Sequence, residues 1–374
     1  MQLSGGLHNF SNALARWFPT PVRLFPRAAG IDISDASIKW LVLSPSSNAY
    51  RVQTYGEEPL HEGVVVNGTI KDIPALAQSL NRVKKNLGGV EYAHAALPEE
   101  AAYVFEMHVP DATTREDVLQ MIEFGFEGRV PIAPSAAIFD FDVIEERDEG
   151  EGQEIGVAVF PRELAENYIA AFGAAGIGLL SLEIEARSIA RTVSSGKSDE
   201  PVTLLVDFGR ARTGFAVLKR GIPIFTSTVE VGGDGITRAL MEKLSMSAES
   251  AMAFRNDQGL LPEGGTKSPG LDAIMGIASA LADEVTRHYH YWDTRRNERG
   301  DRMTPVGAVI LVGGSSNLNG LADYIAGRVQ APTTIGDIWQ HICTFDQYIP
   351  PINRRTSLQY ATAAGLALRS LEIV

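Results

Sequence analysis

The chain has 374 residues, more than one hydrophobic core readily serves, so two domains or a duplicated fold are expected. Apolar residues make up 45% and charged residues 21%, which excludes a largely disordered chain. The net charge of −13 excludes nucleic acid as the main partner, because phosphate binding needs a basic surface.

One cysteine, Cys343, cannot form an internal disulfide, and no Cys/His cluster has zinc-ligand spacing; a reducing cytoplasm is the expected compartment. The longest uncharged stretch, Thr304–Ala322, is broken by Pro305 and four glycines. It reads as a buried strand and a Gly-rich turn, not as the run of about 20 apolar residues that spans a bilayer. The first residues lack the charged start, apolar run and cleavage site of a signal peptide.

In chain order, residues 1–27 stand apart as a basic extension with Arg16, Arg23 and Arg27 and no acid. Leu7, Phe10, Leu14, Trp17 and Phe18 recur at helical spacing until Pro19, Pro21 and Pro26 stop the helix. Such an apolar stripe edged by Arg fits a helix lying in a membrane interface; packing on the first domain or a free tail are the alternatives. From Gly30 strands and helices alternate. Gly30–Leu43 reads as a strand, a small-residue turn and a second strand. Asp72–Leu87 has helical apolar spacing, and Val90–Leu97 is a short strand ending at Pro98. Tyr103–Val109 is a strand, followed by a helix opened by the capping box Thr113-x-x-Glu116. Strand Ala136–Glu145 leads into Glu145–Glu154, read as a solvated hairpin loop, and Ile155–Phe160 returns. Helix Arg162–Ala175, strand Leu179–Glu185 and helix Ala186–Val193 complete the first half, and the polar stretch Ser194–Glu200 suits a boundary. Strand Thr203–Phe208 opens the second half. Ile236–Pro305 is mostly helical around a loop at Asn256–Gly270, and a buried strand, Val306–Val312, precedes Gly313-Gly314 and the closing helices.

An internal near-repeat is the most informative feature. Gly30–Leu43 (GIDISDASIKWLVL) reappears as Val206–Leu218 (VDFGRARTGFAVL), aligning Asp32 with Asp207, Ala36 with Ala211 and Trp40 with Phe215. Each copy puts an Asp at the end of a buried strand, then a turn of mainly small residues, then a returning strand. Small residues let backbone N–H groups approach a polyphosphate. The Asp suits the hydration shell of a bound magnesium ion. A third element, Val309–Ala322 (VILVGGSSNLNGLA), delivers two glycines to a turn where backbone can pack against the flat face of a base.

These three motifs, in this order, resemble those of the actin-like ATPases, and within that superfamily the chain is similar to the type IV pilus assembly protein PilM family. Gly30-Ile-Asp-Ile with Ser37-Ile-Lys39, His108-Val-Pro, Val130-Pro-Ile, Phe139-Asp-Phe-Asp, Ala174-Ala-Gly-Ile177, Glu230-Val-Gly-Gly233 and Ala361–Leu368 carry that likeness, which spans roughly Arg27 to Arg369. It implies an α/β, actin-like (ribonuclease H-like) duplicated two-domain fold with a small inserted strand-helix-strand-strand domain. Residues 28–89, 161–200 and 347–374 would form domain 1A, 90–160 the inserted domain 1C, 201–235 and 306–346 domain 2A, and 236–305 the mostly helical 2B.

The resemblance also implies ATP and Mg2+ as cofactors. Asp32 and Asp207 would face the metal and Lys39 would reach the phosphates. Ser34, Asp35, Ala36 and Ser37, and Gly209, Arg210 and Thr213, would belong to the two phosphate turns. Gly233, Gly313, Gly314 and Ser315 would lie near the nucleotide, with Glu249 and Arg255 toward ribose and adenine. Glu185 would position the attacking water. Two departures bear on turnover: Ser34 stands where the family usually has Gly, and Arg210-Ala211-Arg212 replaces an acidic or small turn. An Arg there can bind phosphate or fill the cleft, so nucleotide binding is expected ahead of efficient hydrolysis.

Other motifs are read structurally. Ser195-Gly-Lys-Ser198 has Arg191 where a P-loop needs its first Gly, His288 and His290 point apart on a helix, and Cys343 is a small buried residue. Glu116, Asp117 and Glu123 are a helix's cap and solvated face. The expected role is an ATP-binding scaffold of the pilus inner-membrane platform, peripheral at the cytoplasmic face of the membrane. It would dock the cytoplasmic tail of a PilN-like membrane protein and contact other platform or motor proteins. One rival is an FtsA-like cell-division anchor, which normally adds a C-terminal amphipathic helix after a linker, whereas this sequence ends at Val374 with neither. The other is a small-molecule kinase of the same fold, which needs a larger substrate-binding insertion.

Overall fold

A computed structural model describes residues 26–46, 49–110, 113–146, 152–260, 269–296 and 302–371. The basic extension through residue 25 and the centre of the acidic hairpin loop lie outside them.

The first domain is built on the hairpin of β1 (Ala28–Ile33) and β2 (Ser37–Ser46), extended antiparallel by β3 (Ala49–Pro59). The small ladder β4 (Val65–Val66) and β5 (Thr69–Ile70) leads to helix α1 (Ile73–Lys84), whose N-cap Asp72 accepts from the Ala75 N–H at 2.8 Å. Strand β6 (Tyr92–Leu97) then pairs parallel with β1. It is an inner strand of the first sheet, so the inserted unit begins after it and not at Val90. A strand buried along nearly its whole length between two parallel neighbours cannot belong to a separate small domain.

The inserted unit is β7 (Tyr103–Val109), α2 (Arg115–Phe124), β8 (Ala137–Glu146) and β9 (Gln153–Pro161), with strand order β7-β9-β8 and its own small core around Phe105, Ile122 and Val157. The cap of α2 sits one residue later than the capping box predicts: Thr114 accepts from the Asp117 N–H at 3.2 Å, while Thr113 is turned to the Pro110 carbonyl. Helix α3 (Arg162–Ala174), strand β10 (Gly178–Ile184) and helix α4 (Glu185–Val193) return the chain to the first domain.

The second domain repeats the plan. Strands β11 (Thr203–Phe208), β12 (Thr213–Lys219) and β13 (Ile222–Val229) form the meander; helices α5 (Gly233–Leu244), α6 (Ala248–Gln258) and α7 (Pro269–Thr294) cover it; β14 (Ala308–Val312), α8 (Leu321–Val329) and β15 (Thr333–Ile335) complete it. The two sheets have matching orders, β10-β6-β1-β2-β3 and β15-β14-β11-β12-β13. Register matches as well: Asp32 lies opposite Lys39 and Ile33 opposite Ile38, as Asp207 lies opposite Gly214 and Phe208 opposite Thr213. The sequence repeat is therefore a structural duplication.

Residues 338–352 were expected in the second domain up to 346. Ile338, Trp339, Ile342 and Cys343 lie in a core cluster with residues of α10 (Ala361–Arg369) and the first sheet that also takes in Leu205, Leu218 and Val312 of the second, next to α9 (Arg354–Ser357) in the chain. Cys343 is buried, as expected. Helix α10 crosses α4 so closely that a Cβ on Gly365 would lie 1.7 Å from the Ser188 carbonyl oxygen. A buried network ties the crossing: Arg191 pairs with Glu183 at 2.7 and 3.1 Å and donates to the Gly365 carbonyl at 3.0 Å, with Arg369 on the same carboxylate. His94 on β6 lies between the Ser181 and Ser370 hydroxyls at 2.7 and 3.0 Å. His288 is packed as an aromatic, stacked on Phe215 at 4.0 Å between centroids.

Candidate functional site

In both sheets the parallel strands run the same way, and their carboxyl ends meet across a cleft between the domains, the usual position of ligands in parallel α/β sheets. Asp32 sits near the end of β1 and Asp207 near the end of β11. Pro98-Glu99-Glu100 follows β6, Glu185 follows β10, and Gly313-Gly314-Ser315 follows β14.

The two turns are closed alike. The Ser34 N–H donates to the Ser37 carbonyl at 2.9 Å, and the Gly209 N–H donates to the Arg212 carbonyl at 3.0 Å. In the first turn Ser34 Oγ also donates to the Ser37 carbonyl at 3.0 Å, a local bond that holds the turn although Ser stands in place of Gly. The Ala36 carbonyl accepts from the Leu60 N–H, which fixes the turn to the end of β3. Lys39 extends from β2 with its Nζ 3.1 Å from Ser37 Oγ and 3.5 Å from Glu57 on β3.

On the second domain the structure brings Gly209, Gly233, Arg255 and Ser315 together. Ser315 Oγ donates to the Gly209 carbonyl at 2.9 Å, the Gly233 N–H donates to the same carbonyl at 3.1 Å, and Arg255 donates to the Gly233 carbonyl at 3.2 Å. Thr213 is fully buried and donates to the Val231 carbonyl at 2.6 Å, a structural role. Gly313 has φ of +87°, and a Cβ there would lie 2.3 Å from Asp207 Oδ1. Only glycine lets this turn approach the carboxylate so closely. A cavity of about 220 Å3 lies further along the chain from this turn, lined by Ser316, Asn317, Asn319, Ile335 and Arg355 and by none of the predicted site residues.

Three predicted residues take other positions. Arg210 is exposed and paired with Asp234 at 3.1 Å, because the α5 N-terminus offers it a carboxylate outside the cleft. Glu249 is exposed in the first turn of α6, where a negative charge complements the helix dipole. Asp35 is held by its own domain, accepting from the backbone N–H groups of Asn67 and Gly68 at 3.0 and 2.9 Å, and its carboxylate also pairs with Arg212 of the second domain.

Electrostatically the cleft is short of positive charge. Burial raises the Asp207 carboxyl to about 7, with the charges of Asp32 and Glu100 pushing the same way against relief from Lys39. Burial also raises Asp32, again relieved in part by Lys39. Glu185 stands well above the carboxylate range through burial, then the charges of Asp32, Glu100, Glu99 and Asp207. Glu99 is raised by burial and then by Asp207. Glu99 and Glu100 were missed in the sequence, although Pro98-Glu99-Glu100 occupies the place after β6 that Gly313-Gly314-Ser315 occupies after β14. Glu99 reaches the second domain: a Cβ on Gly214 would lie 2.7 Å from its Oε2.

Among the described residues no set of three or more His, Cys, Asp or Glu has the geometry to hold a metal ion alone. Asp32 and Asp207 are the carboxylates that could face the waters of a magnesium ion held beside a nucleotide. The crowded carboxyls are the groups such a cation would relieve.

Two duplicated α/β domains facing each other across paired Asp-bearing hairpins define an actin-like fold. Solved structures agree. The chain is similar to a PilM-PilN type IV pilus biogenesis complex (TM-score 0.76, 20% identity, 93% of this chain and 99% of that one). It is also similar to EutJ from Carboxydothermus hydrogenoformans (TM-score 0.52, 16% identity, 94% and 91%) and to MreB5 of Spiroplasma citri bound to ADP (TM-score 0.52, 14% identity, 92% and 97%). The family profile of the type IV pilus assembly protein PilM matches residues 30–371. The chain belongs to the PilM family.

Proposed function

We propose that this protein is an ATP-binding, actin-like scaffold of the type IV pilus assembly platform that docks the cytoplasmic tail of a PilN-like membrane protein. The observation that carries the reading is the family match over residues 30–371, which takes in both domains and the inserted unit. The PilM-PilN complex supports the partner, and the ADP-bound neighbour supports a nucleotide in the cleft. Mg2+ would sit between Asp32, Asp207 and the phosphates and neutralise them. Lys39 would hold phosphate oxygens, and Gly209, Gly233 and Gly313–Ser315 would admit the nucleotide against backbone. Glu185, pushed above the usual carboxylate range by burial and by the charges of Asp32, Glu100, Glu99 and Asp207, stands beside the phosphates in this reading.

No helix among the described residues is long and apolar enough to cross a membrane. We place the protein at the cytoplasmic face of the inner membrane, held by its partner and by the basic extension. The test is capture of a synthetic PilN-like tail. The inserted unit has no candidate catalytic constellation and is the expected docking module. Replacing Tyr103–Pro161 by a short Gly-Ser linker, which spares β6, should abolish capture and leave Mg-ATP binding in place. Tail capture by the deleted form would remove the inserted unit from the reading.

A further inference from the structure

Arg212 is the one departure in the second phosphate turn that points into the cleft. Its guanidinium crosses from the second domain to the first, where Nη2 binds the Asp35 carboxylate and Nη1 binds Glu100. Nη2 also lies 3.2 Å from Asn67 Oδ1. The three side chains of this bridge are no more than about a third exposed: 23% for Arg212, 31% for Asp35 and 24% for Glu100.

Both anchors are themselves fixed. Asp35 accepts the Asn67 and Gly68 N–H groups, and the Gly68 carbonyl in turn accepts the buried Tyr168 hydroxyl at 3.0 Å. Gly68 packs on Pro98, where a Cβ would lie 2.2 Å from the ring, so the β4–β5 turn and the Pro98-Glu99-Glu100 turn are held together. A guanidinium fork suits two carboxylates presented side by side on a rigid surface. Arg212 spans the gap between the two hairpin turns, the place where the polyphosphate of the proposed nucleotide would lie.

We infer that Arg212 is a cross-cleft latch: it ties the two domains shut through Asp35 and Glu100, and it must release before a phosphate-bearing ligand enters. The inference rests on the proposed nucleotide cleft for its ligand but not for the latch itself. A protein that must open first binds through a minor population, and its association rate is reduced by that fraction.

The test uses the full chain with nitroxides on Glu62→Cys and Glu242→Cys, exposed sites on opposite domains, in a Cys343→Ala background. Inter-label distances are measured without nucleotide. Arg212→Gln should broaden and lengthen the distribution, and Glu100→Gln with Asp35→Asn should do the same from the other side. Combining all three should add little, because one bridge is removed either way. Fluorescent ATP should associate about tenfold faster with Arg212→Gln. An unchanged distance distribution in Arg212→Gln, or full additivity of the two sides, overturns the latch. If the distribution opens while neither form binds Mg-ATP, the latch stands and the nucleotide reading fails. If Mg-ATP binds both forms at equal rates with unchanged distances, the nucleotide reading stands and the latch fails.

Discussion

The raised carboxyl of Asp207 costs stability, and Asp207→Asn measures that cost together with the proposed nucleotide contact. Its carboxyl is raised from 3.8 to about 7 in the fold, so the folded protein prefers it protonated. Below pH ~4 folded and unfolded chains both hold the proton, and the variant differs only by the amide. Between about pH 4 and 7 the unfolded Asp207 ionises freely and the folded one does not, so the wild type loses stability as pH rises. Three pH units at about 1.4 kcal/mol each set a ceiling near 4 kcal/mol. Asp207 is only half-buried, and solvent screening lowers the expected gain in Asp207→Asn to about 2–3 kcal/mol above pH 7. Urea unfolding at steps from pH 4.5 to 8.5 should show a difference that grows with pH and levels off near neutrality. Calorimetry on the same variant should show Mg-ATP affinity strongly reduced, and Lys39→Ala should weaken it by removing a charged phosphate contact worth about 1.5–3 kcal/mol. A difference in unfolding that is flat with pH, or an Asn variant less stable than wild type at pH 8, would refute the account of a strained carboxylate. Unchanged ATP affinity in both variants would remove the nucleotide from this cleft.

Lys219→Met should destabilise the protein by up to about 3–5 kcal/mol at neutral pH, because it removes the cation that holds the Glu154 carboxylate, 1% exposed, at 2.6 and 2.7 Å. The loss should shrink in acid as Glu154 takes up a proton, a trend that thermal unfolding across pH will register. Gly365→Ala should cost about 1–3 kcal/mol or more in urea unfolding, since its Cβ would collide with the Ser188 carbonyl and force α10 away from α4. Full-length protein should float with anionic vesicles more than a form starting at Arg27, each basic residue near the surface adding about 1 kcal/mol; equal flotation would leave the partner as the route to the membrane.

Most elements were legible because period and capping follow local rules. The hairpins at Asp32 and Asp207, helix α1 after Asp72, and strand Thr203–Phe208 all lie where pattern places them. What failed was set by tertiary neighbours. Val90–Leu97 is short and apolar in any domain, and only its parallel pairing with β1 and β10 assigns it to the first sheet. Glu154 closes a run of acids that reads as solvated, yet it is buried because Lys219 on β12 comes to meet it. Glu106 on β7 lies in the same interface and is raised to about 7 by burial and by the neighbouring Glu154. The site was legible as far as the repeat reached. Glu99 and Glu100 carry no motif of their own; their places follow from the end of β6 facing the second domain.

The duplication also shows how one half could diverge without losing the fold. Lys39 and Gly214 occupy equivalent register positions, opposite Asp32 and Asp207. The first half keeps a cation there, next to Glu57 and Ser37. The second half has no side chain, and the Glu99 carboxylate of the first domain fills the space. Charge is traded two residues earlier as well: Ser37 in one turn corresponds to Arg212 in the other, and Arg212 reaches back to the first domain's Asp35 and Glu100. The second half thus leaves a place that a first-domain side chain occupies, and sends a side chain of its own to the first domain. A symmetric pair of turns would repel through paired aspartates. The Arg212 contacts set a cation against that crowding, which the charges of Asp32, Asp207 and Glu99 still impose on one another.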